Sequence, residues 1–257
     1  MPFVLRNPAF FIPVLTYHQI ATAPPKGAVF RSLYVTPTAF ARQMGLLKRL
    51  GYRGLSMSAL MPYLRGEQCA RVCGITLDDG YANHLSCALP ALQSNGFTAT
   101  CYAVSQRLGQ TNDWDSAVGV APAPLMDANQ LRQWVAGGQE VGAHTRHHPH
   151  LSQLSDADST REISACKSEL EEAVQAPVRH FCYPYGDYGP QHVGIVKRAG
   201  FDSATTTVRS RCQIADDLWQ LPRVPVVRST TLALLWIKLA TSYEDRHRCL
   251  SHRFQLA

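Results

Sequence analysis

Val72-Cys73-Gly74-Ile75-Thr76-Leu77-Asp78-Asp79-Gly80 is an apolar run that stops abruptly on two carboxylates and a glycine. A run this short fits a buried strand better than a helix, and Gly80 permits the tight turn that ends it. A buried strand that runs directly into polar chemistry is the pattern of a parallel sheet flanked by helices, where reactive groups gather at the C-terminal ends of the strands. The same order recurs along the chain. Strand-like runs are read at residues 12–17, 97–104, 140–143, 179–183, 201–206 and 222–227. Helical patterns stand between or after them. One starts at Thr36-Pro37, with Phe40, Met44 and Leu47 on one face and Gly51 as its stop. Another covers 82–93 and ends at Asn95-Gly96, and a third is capped by Asp127 and ended by Gly137-Gly138. Residues 155–174, 191–198 and 231–239 complete the set, and 106–126 reads as a loop. About seven βα units predict an α/β fold, a distorted (β/α) barrel that is closed or slightly broken.

The chain has 257 residues, 46% hydrophobic and 17% charged. That composition excludes a disordered, collagen-like or coiled-coil chain, and the length suffices for a full core without staples. No repeat or linker divides the sequence, so a single domain over 1–257 is expected, with its core at about 13–227 and a basic C-terminal helix and tail at 228–257. No apolar run reaches the roughly 18 residues of a spanning helix. The opening stretch is broken by Pro8 and Pro13, contains one Arg and shows no small-residue cleavage site, so it does not read as a signal peptide. The eight Cys include no CxxC pair, and Cys87 and Cys101 read as buried thiols. A reducing cytoplasm is therefore the expected location. Net charge is +6, and from Lys197 onward ten Lys and Arg stand against five Asp and Glu. This excess reads as a solvated basic tail or as an attraction for an anionic partner, including peripheral association with the inner membrane surface. No nucleic-acid recognition motif accompanies it, so no nucleic-acid partner is expected.

Ionisable and metal-binding residue types follow the strands: His18 after the first, Asp78-Asp79 after the second, and His144, His147, His148 and His150 after residues 140–143. His144 and His148 are spaced i, i+4, which in a helical turn places both on one face for a single zinc ion. The pairs His144/His147 and His147/His150 compete with them. Two imidazoles and one carboxylate leave a coordination position open for water, as catalytic zinc requires. Adjacent residues beyond a strand end point in different directions, so one aspartate is free to bind metal while its neighbour takes a proton. A lone Asp-Asp-Gly is also an ordinary turn signal.

Three stretches together carry a family resemblance. Thr76-Leu77-Asp78-Asp79-Gly80 resembles the first motif of the polysaccharide deacetylase family, the NodB-homology carbohydrate esterases of family 4. His144-Thr145-Arg146-His147-His148-Pro149 resembles the second motif and Phe181-Cys182-Tyr183-Pro184-Tyr185-Gly186 the third. Val14 to Ile20 resembles the opening strand. The similarity runs from about Pro13 to Val227. It implies a distorted (β/α) barrel of about seven parallel strands and a metal-dependent hydrolase that removes acetyl groups from N-acetylated sugars. By motif position Asp78 is the general base, Asp79, His144 and His148 hold the metal, and the Tyr185 backbone N–H helps to bind the oxyanion. Zn2+ is the expected ion, and the same N/O ligands also accept Co2+ or Ni2+.

Two departures from the family pattern call for substitutes. Cys182 stands where the third motif often has an Arg that pairs with the base, and Arg223, in Leu221-Pro222-Arg223-Val224-Pro225, is the candidate to reach it from the last strand. The last motif normally supplies a His as general acid, yet no His lies between His192 and His247. His18 is the candidate there. Asp113-Trp114-Asp115 reads as a surface loop, with a groove lining as the alternative. The expected substrate is an N-acetylhexosamine in a glycan or glycolipid, including a lipopolysaccharide precursor. The alternatives are a small sugar conjugate and a non-catalytic glycan-binding relic of the fold.

Overall fold

In the computed structural model, which describes residues 11–248, seven parallel strands close into a ring. The strands in chain order are β1 (Val14–Tyr17), β2 (Gln19–Ile20), β3 (Tyr34–Val35), β4 (Arg53–Leu55), β5 (Val72–Leu77), β6 (Thr100–Ala103), β7 (Glu140–Ala143), β8 (His180–Cys182), β9 (Ser203–Arg209) and β10 (Leu221–Pro225). The ring runs β1, β10, β9, β8, β7, β6, β5 and back to β1. β4 is a wedge: it pairs with Val72–Gly74 of β5, on the edge that β6 takes over at Thr76 and Leu77. β2 and β3 form a separate parallel pair.

β5 is buried along its whole length, because a barrel strand faces the interior on one side and helices on the other. The helices are α1 (Pro37–Arg49), α2 (Met57–Leu64), α3 (Leu89–Asn95), α4 (Ala128–Ala136), α5 (Asp156–Val174), α6 (Pro190–Arg198) and α7 (Leu232–Ala240). Their starts follow local chemistry. Thr36 accepts from the Ala39 N–H at 3.2 Å, with Pro37 opening α1. Asp127 and Gln130 form a capping box on α4. Ser155 accepts from the Asp158 N–H at the head of α5.

The single helix expected over 82–93 is in two parts, a wide π-type turn at His84–Ala88 followed by α3. Pro90 has no N–H for the regular ladder, and the wider turn carries the chain past it. Cys101 is buried as expected, but Cys87 lies on that turn and is only half-buried. β2, β3, β4 and α2 were not anticipated. The strands are two or three residues long, and α2 is apolar without a stripe and carries Pro62 inside.

The N-terminal stretch at 1–10 and the last part of the basic tail, 249–257, lie outside the described residues. In and beside the described part of that region several bases are tied to acids. Arg209 meets Glu244 at 2.9 Å, Arg211 meets Asp245 at 2.6 Å, Arg248 meets Asp216 at 2.7 Å, and buried Lys238 also pairs with Glu244. Among the described residues no helix is long and apolar enough to cross a membrane.

Trp134 of α4 is fully buried, and its indole N–H donates to the Glu140 carbonyl at 2.8 Å, pinning the helix to the strand that presents His144. Trp134→Ala is expected to lower the unfolding free energy in urea by about 3–5 kcal/mol. Trp134→Phe, which keeps most of the volume, should cost clearly less.

Candidate active site

Three loops at the C-terminal ends of β5, β7 and β8 converge, and their backbones are strained. Among the described residues the non-glycine positions with positive φ are Phe30 (53°), Asp79 (76°), Thr145 (64°), His148 (61°), Gln175 (55°) and Tyr185 (58°). Gln175 ends α5, and Phe30, Asp79, His148 and Tyr185 all line one cavity. Left-handed backbone in residues with a Cβ costs energy and persists only where the surroundings enforce it. Gly186 has no alternative: at φ 69° a Cβ there would sit 1.9 Å from Thr207 Oγ1.

Asp78 and Asp79 diverge. Asp78 turns toward β10, where Arg223 grips it with two parallel bonds, Nη1 to Oδ1 and Nη2 to Oδ2, both 2.7 Å. Both side chains are buried. Thr206 O and Thr76 Oγ1 take further N–H groups of the guanidinium at 2.9 and 3.0 Å. Burial alone would raise the Asp78 carboxyl, but the Arg223 charge and hydrogen bonds, with His18 and His144 nearby, hold it below the usual carboxylate range. His18 Nε2 lies 3.8 Å from Asp78 Oδ2.

Asp79 turns the other way. Its Oδ1 lies 3.5 Å from His144 Nε2 and 3.4 Å from His148 Nε2. These gaps are long for hydrogen bonds. They match the edge of a tetrahedron around a cation with bonds of about 2.1 Å, which puts neighbouring ligand atoms about 3.4 Å apart. The three ligand atoms lie within 4.8 Å of one another. The His144 Nδ1–H donates to the Cys182 carbonyl at 2.7 Å, which fixes the tautomer that presents Nε2. Burial and the neighbouring His144 push His148 down to about 3, so its imidazole is neutral. His148 Nδ1 is buried without a partner. The residues fit a divalent cation. A second group of atoms, from Asp78, His144 and Cys182, also converges, but Arg223 already occupies both Asp78 oxygens and lies 3.2 Å from Cys182 Sγ, so a cation is excluded there.

The helical turn expected at 144–148 is absent. Thr145 and His148 are left-handed, and the rings converge because the His148 N–H donates to Thr145 Oγ1 at 3.0 Å. Glu162 of α5 holds the outside of this loop, accepting from the Arg146 and His147 N–H groups at 2.9 and 3.0 Å and meeting His147 Nδ1 at 2.7 Å. His147 is thereby turned away from Asp79. His150 stacks on Tyr185 at 4.0 Å, with its Nδ1 3.5 Å from Asp187.

Asp113-Trp114-Asp115 is not a detached surface loop. Trp114 stacks on His148 at 4.5 Å, and Asp115 accepts from the Tyr185 hydroxyl at 3.0 Å. Asn112 donates to the Tyr81 hydroxyl at 3.1 Å and anchors the segment. The cavity so formed measures about 140 Å³ and is walled by Phe30, Tyr34, Trp114 and Tyr185. The residues just after Gly80 were also missed. The His84 ring meets the His18 carbonyl at 2.6 Å, and Asn83 Oδ1 accepts from the Ile20 N–H at 3.0 Å. Together they fix the turn that presents His18. Burial pushes His84 down to about 4, so the ring is neutral.

Two outcomes are expected from this geometry. Arg223→Ala should cost about 3–5 kcal/mol of unfolding free energy at neutral pH, because it leaves Asp78 buried and unpaired. The pair stabilises the fold only while Asp78 is ionised. The gap between the two proteins in urea titrations should therefore shrink as pH falls through the lowered Asp78 value. Metal content after dialysis against zinc should collapse in His148→Gln and persist in His147→Gln.

The chain matches the polysaccharide deacetylase family over residues 65–204. It is 30% identical over 94 residues to the chitooligosaccharide deacetylase of Azorhizobium caulinodans, covering 36% of this chain and 42% of that protein. It is 31% identical over 112 residues to the Bradyrhizobium sp. chitooligosaccharide deacetylase, covering 42% and 48%. The matched segments thus span less than half the length of these relatives. The fold is shared with the Streptococcus pyogenes deacetylase PplD in complex with acetate, at TM-score 0.78 and 24% identity over 90% of this chain and 99% of that one. It is shared too with IcaB from Ammonifex degensii, at TM-score 0.76 and 21% identity over 89% and 97%. With a family match over more than half its length, a closed barrel of parallel strands and the three motif loops at one mouth, the chain belongs to the polysaccharide deacetylase family.

Proposed function

We propose that the protein is a metal-dependent N-deacetylase that hydrolyses the acetamide of an N-acetylhexosamine within a glycan or glycolipid. The observation that carries this reading is the divergence of two adjacent carboxylates, Asp79 onto the two ligand histidines and Asp78 onto Arg223. A binding module has no need of an ionised base beside a metal site. The position left by Cys182 in the third motif is served by Arg223 from β10, and His18 stands where a proton donor is needed. Both weigh against a binding relic. The cavity, at about 140 Å³, is well below the roughly 300–1,000 Å³ of sites that enclose larger ligands. It suits one sugar unit, with the remainder of the substrate lying outside.

Asp79, His144 and His148 would hold a divalent cation, zinc expected first, which would supply Lewis acidity toward the acetamide carbonyl and the attacking water. Asp78 accepts the proton of that water, and the Arg223 fork keeps its carboxylate ionised and aimed. The Tyr185 N–H, on a left-handed backbone at the cavity wall, is assigned to the oxygen that gains charge. His18 hands a proton to the departing nitrogen, since a free amide anion is a very poor leaving group. Trp114 and Tyr185 give the sugar ring apolar faces to lie against.

Release of acetate from N-acetylglucosamine oligomers and glycolipids is the test. Metal-loaded protein should release acetate, and chelated protein and Asp78→Asn should lose at least about a hundredfold. His18→Gln should retain metal while kcat falls by a similar factor. Intact metal binding with no acetate from any substrate, together with retention on a glycan array, would favour the binding relic.

A further inference from the structure

Beside the catalytic cavity lies a shallow, open depression lined by Arg31, Ser32, Arg228 and Ser229. Its lining contains no acidic side chain. That contrasts with Arg209, Arg211, Arg223 and Arg248, each of which meets a carboxylate. The two arginines come from distant parts of the chain, Arg31 from the turn before β3 and Arg228 from the segment after β10. They are held together by backbone, the Arg228 N–H donating to the Ser32 carbonyl at 2.8 Å. Arg31 Nε donates to the Pro24 carbonyl at 2.8 Å, which fixes its guanidinium while leaving the Nη groups to bind elsewhere. Two cations held at one depression repel each other, and an anion between them relieves that cost. Guanidinium forks flanked by hydroxyl donors are a matched set for phosphate oxygens.

The position of the depression supplies the second argument. The turn at Arg31–Leu33 is a shared wall: Phe30 and Leu33 line the catalytic cavity, while Arg31 and Ser32 line the depression. The catalytic cavity is walled by aromatic rings, and its Asp78 and Asp79 are committed to Arg223 and to the two histidines. It is also small enough that units beyond the first lie outside it, and this wall is one side of its mouth.

We propose that Arg31, Ser32, Arg228 and Ser229 form a subsite for a phosphate group carried by the glycan outside the unit that is deacetylated. This rests on the deacetylase reading above. The test compares a chito-oligosaccharide with the same oligosaccharide bearing a reducing-end phosphate, in wild type and in the double variant Arg31→Gln/Arg228→Gln. In wild type the phosphorylated substrate should show KM lower by about tenfold with kcat unchanged. The advantage should vanish in the double variant and fade as salt rises, with the neutral substrate treated alike by both proteins. Equal KM values for the two substrates in wild type, or an advantage that survives the double variant, overturn the proposal. Calorimetric titration separates it from the deacetylase reading. If no substrate releases acetate, tighter binding of the phosphorylated oligosaccharide by wild type alone supports the subsite, and equal binding by both proteins overturns it. Saturable binding of inorganic phosphate with no gain for the linked phosphate also overturns a substrate-borne origin.

Discussion

The buried fork between Arg223 and Asp78 is the constraint around which the rest of the site is arranged. Neither charge could be taken out of water alone without a large penalty. Together they are saturated: Asp78 receives both guanidinium arms, and Arg223 has Thr206 O and Thr76 Oγ1 for its remaining donors. The fork links β5 to β10 across the barrel interior and fixes the direction in which Asp78 leaves its strand. With Asp78 committed to that side, the next carboxylate in the chain has to face the histidine loop, and Asp79 accepts a left-handed backbone to do so.

The same trade of local strain for convergence recurs at Thr145, His148 and Tyr185. Each strained turn is held by side chains of other segments. Thr145 Oγ1 and Glu162 hold the histidine loop, while Thr207 and Asp115 contact Tyr185. Rigidity around the His148 ring therefore comes from these supporting contacts together with the aromatic walls, Trp114 and Tyr185 each packing on it at 4.5 Å, while the arginine-lined depression lies outside them.

The barrel and its chemical end were legible in the sequence because both follow from local rules: short apolar runs at regular intervals, and ionisable residues directly after them. The pairing of His144 with His148 was also legible, but through the wrong backbone, since a spacing of four is met here by two left-handed residues and a threonine hydroxyl rather than by a helix. Trp114 was legible only as the alternative to a surface loop, a groove lining. Nothing in a loop sequence encodes the Asn112–Tyr81 and Asp115–Tyr185 contacts that carry it over His148. His84 and Asn83 were hidden for a related reason, because their partners are backbone groups near His18 that only barrel closure brings close. Counting charge could not show that the C-terminal acids and bases pair with each other, nor that Arg31 and Arg228 stand apart from that network. β4 escaped notice because a three-residue wedge has too little pattern to read.

β1 is bonded on one edge to β5 and on the other to β10, so the ring closes only when an early strand meets the last one. Asp79, His144 and His148 all leave the ribosome before Arg223 does. Until Arg223 arrives, the carboxylate of Asp78 lacks its guanidinium partner, and the edges of β1 and of the growing sheet are open to other chains. Charge compensation and barrel closure are therefore a single late event in the life of the chain, one that depends on contacts of long sequence separation and is slow for that reason. A nascent protein that stalls before β10 would already carry Asp79, His144 and His148 while lacking the charge that lets Asp78 be buried.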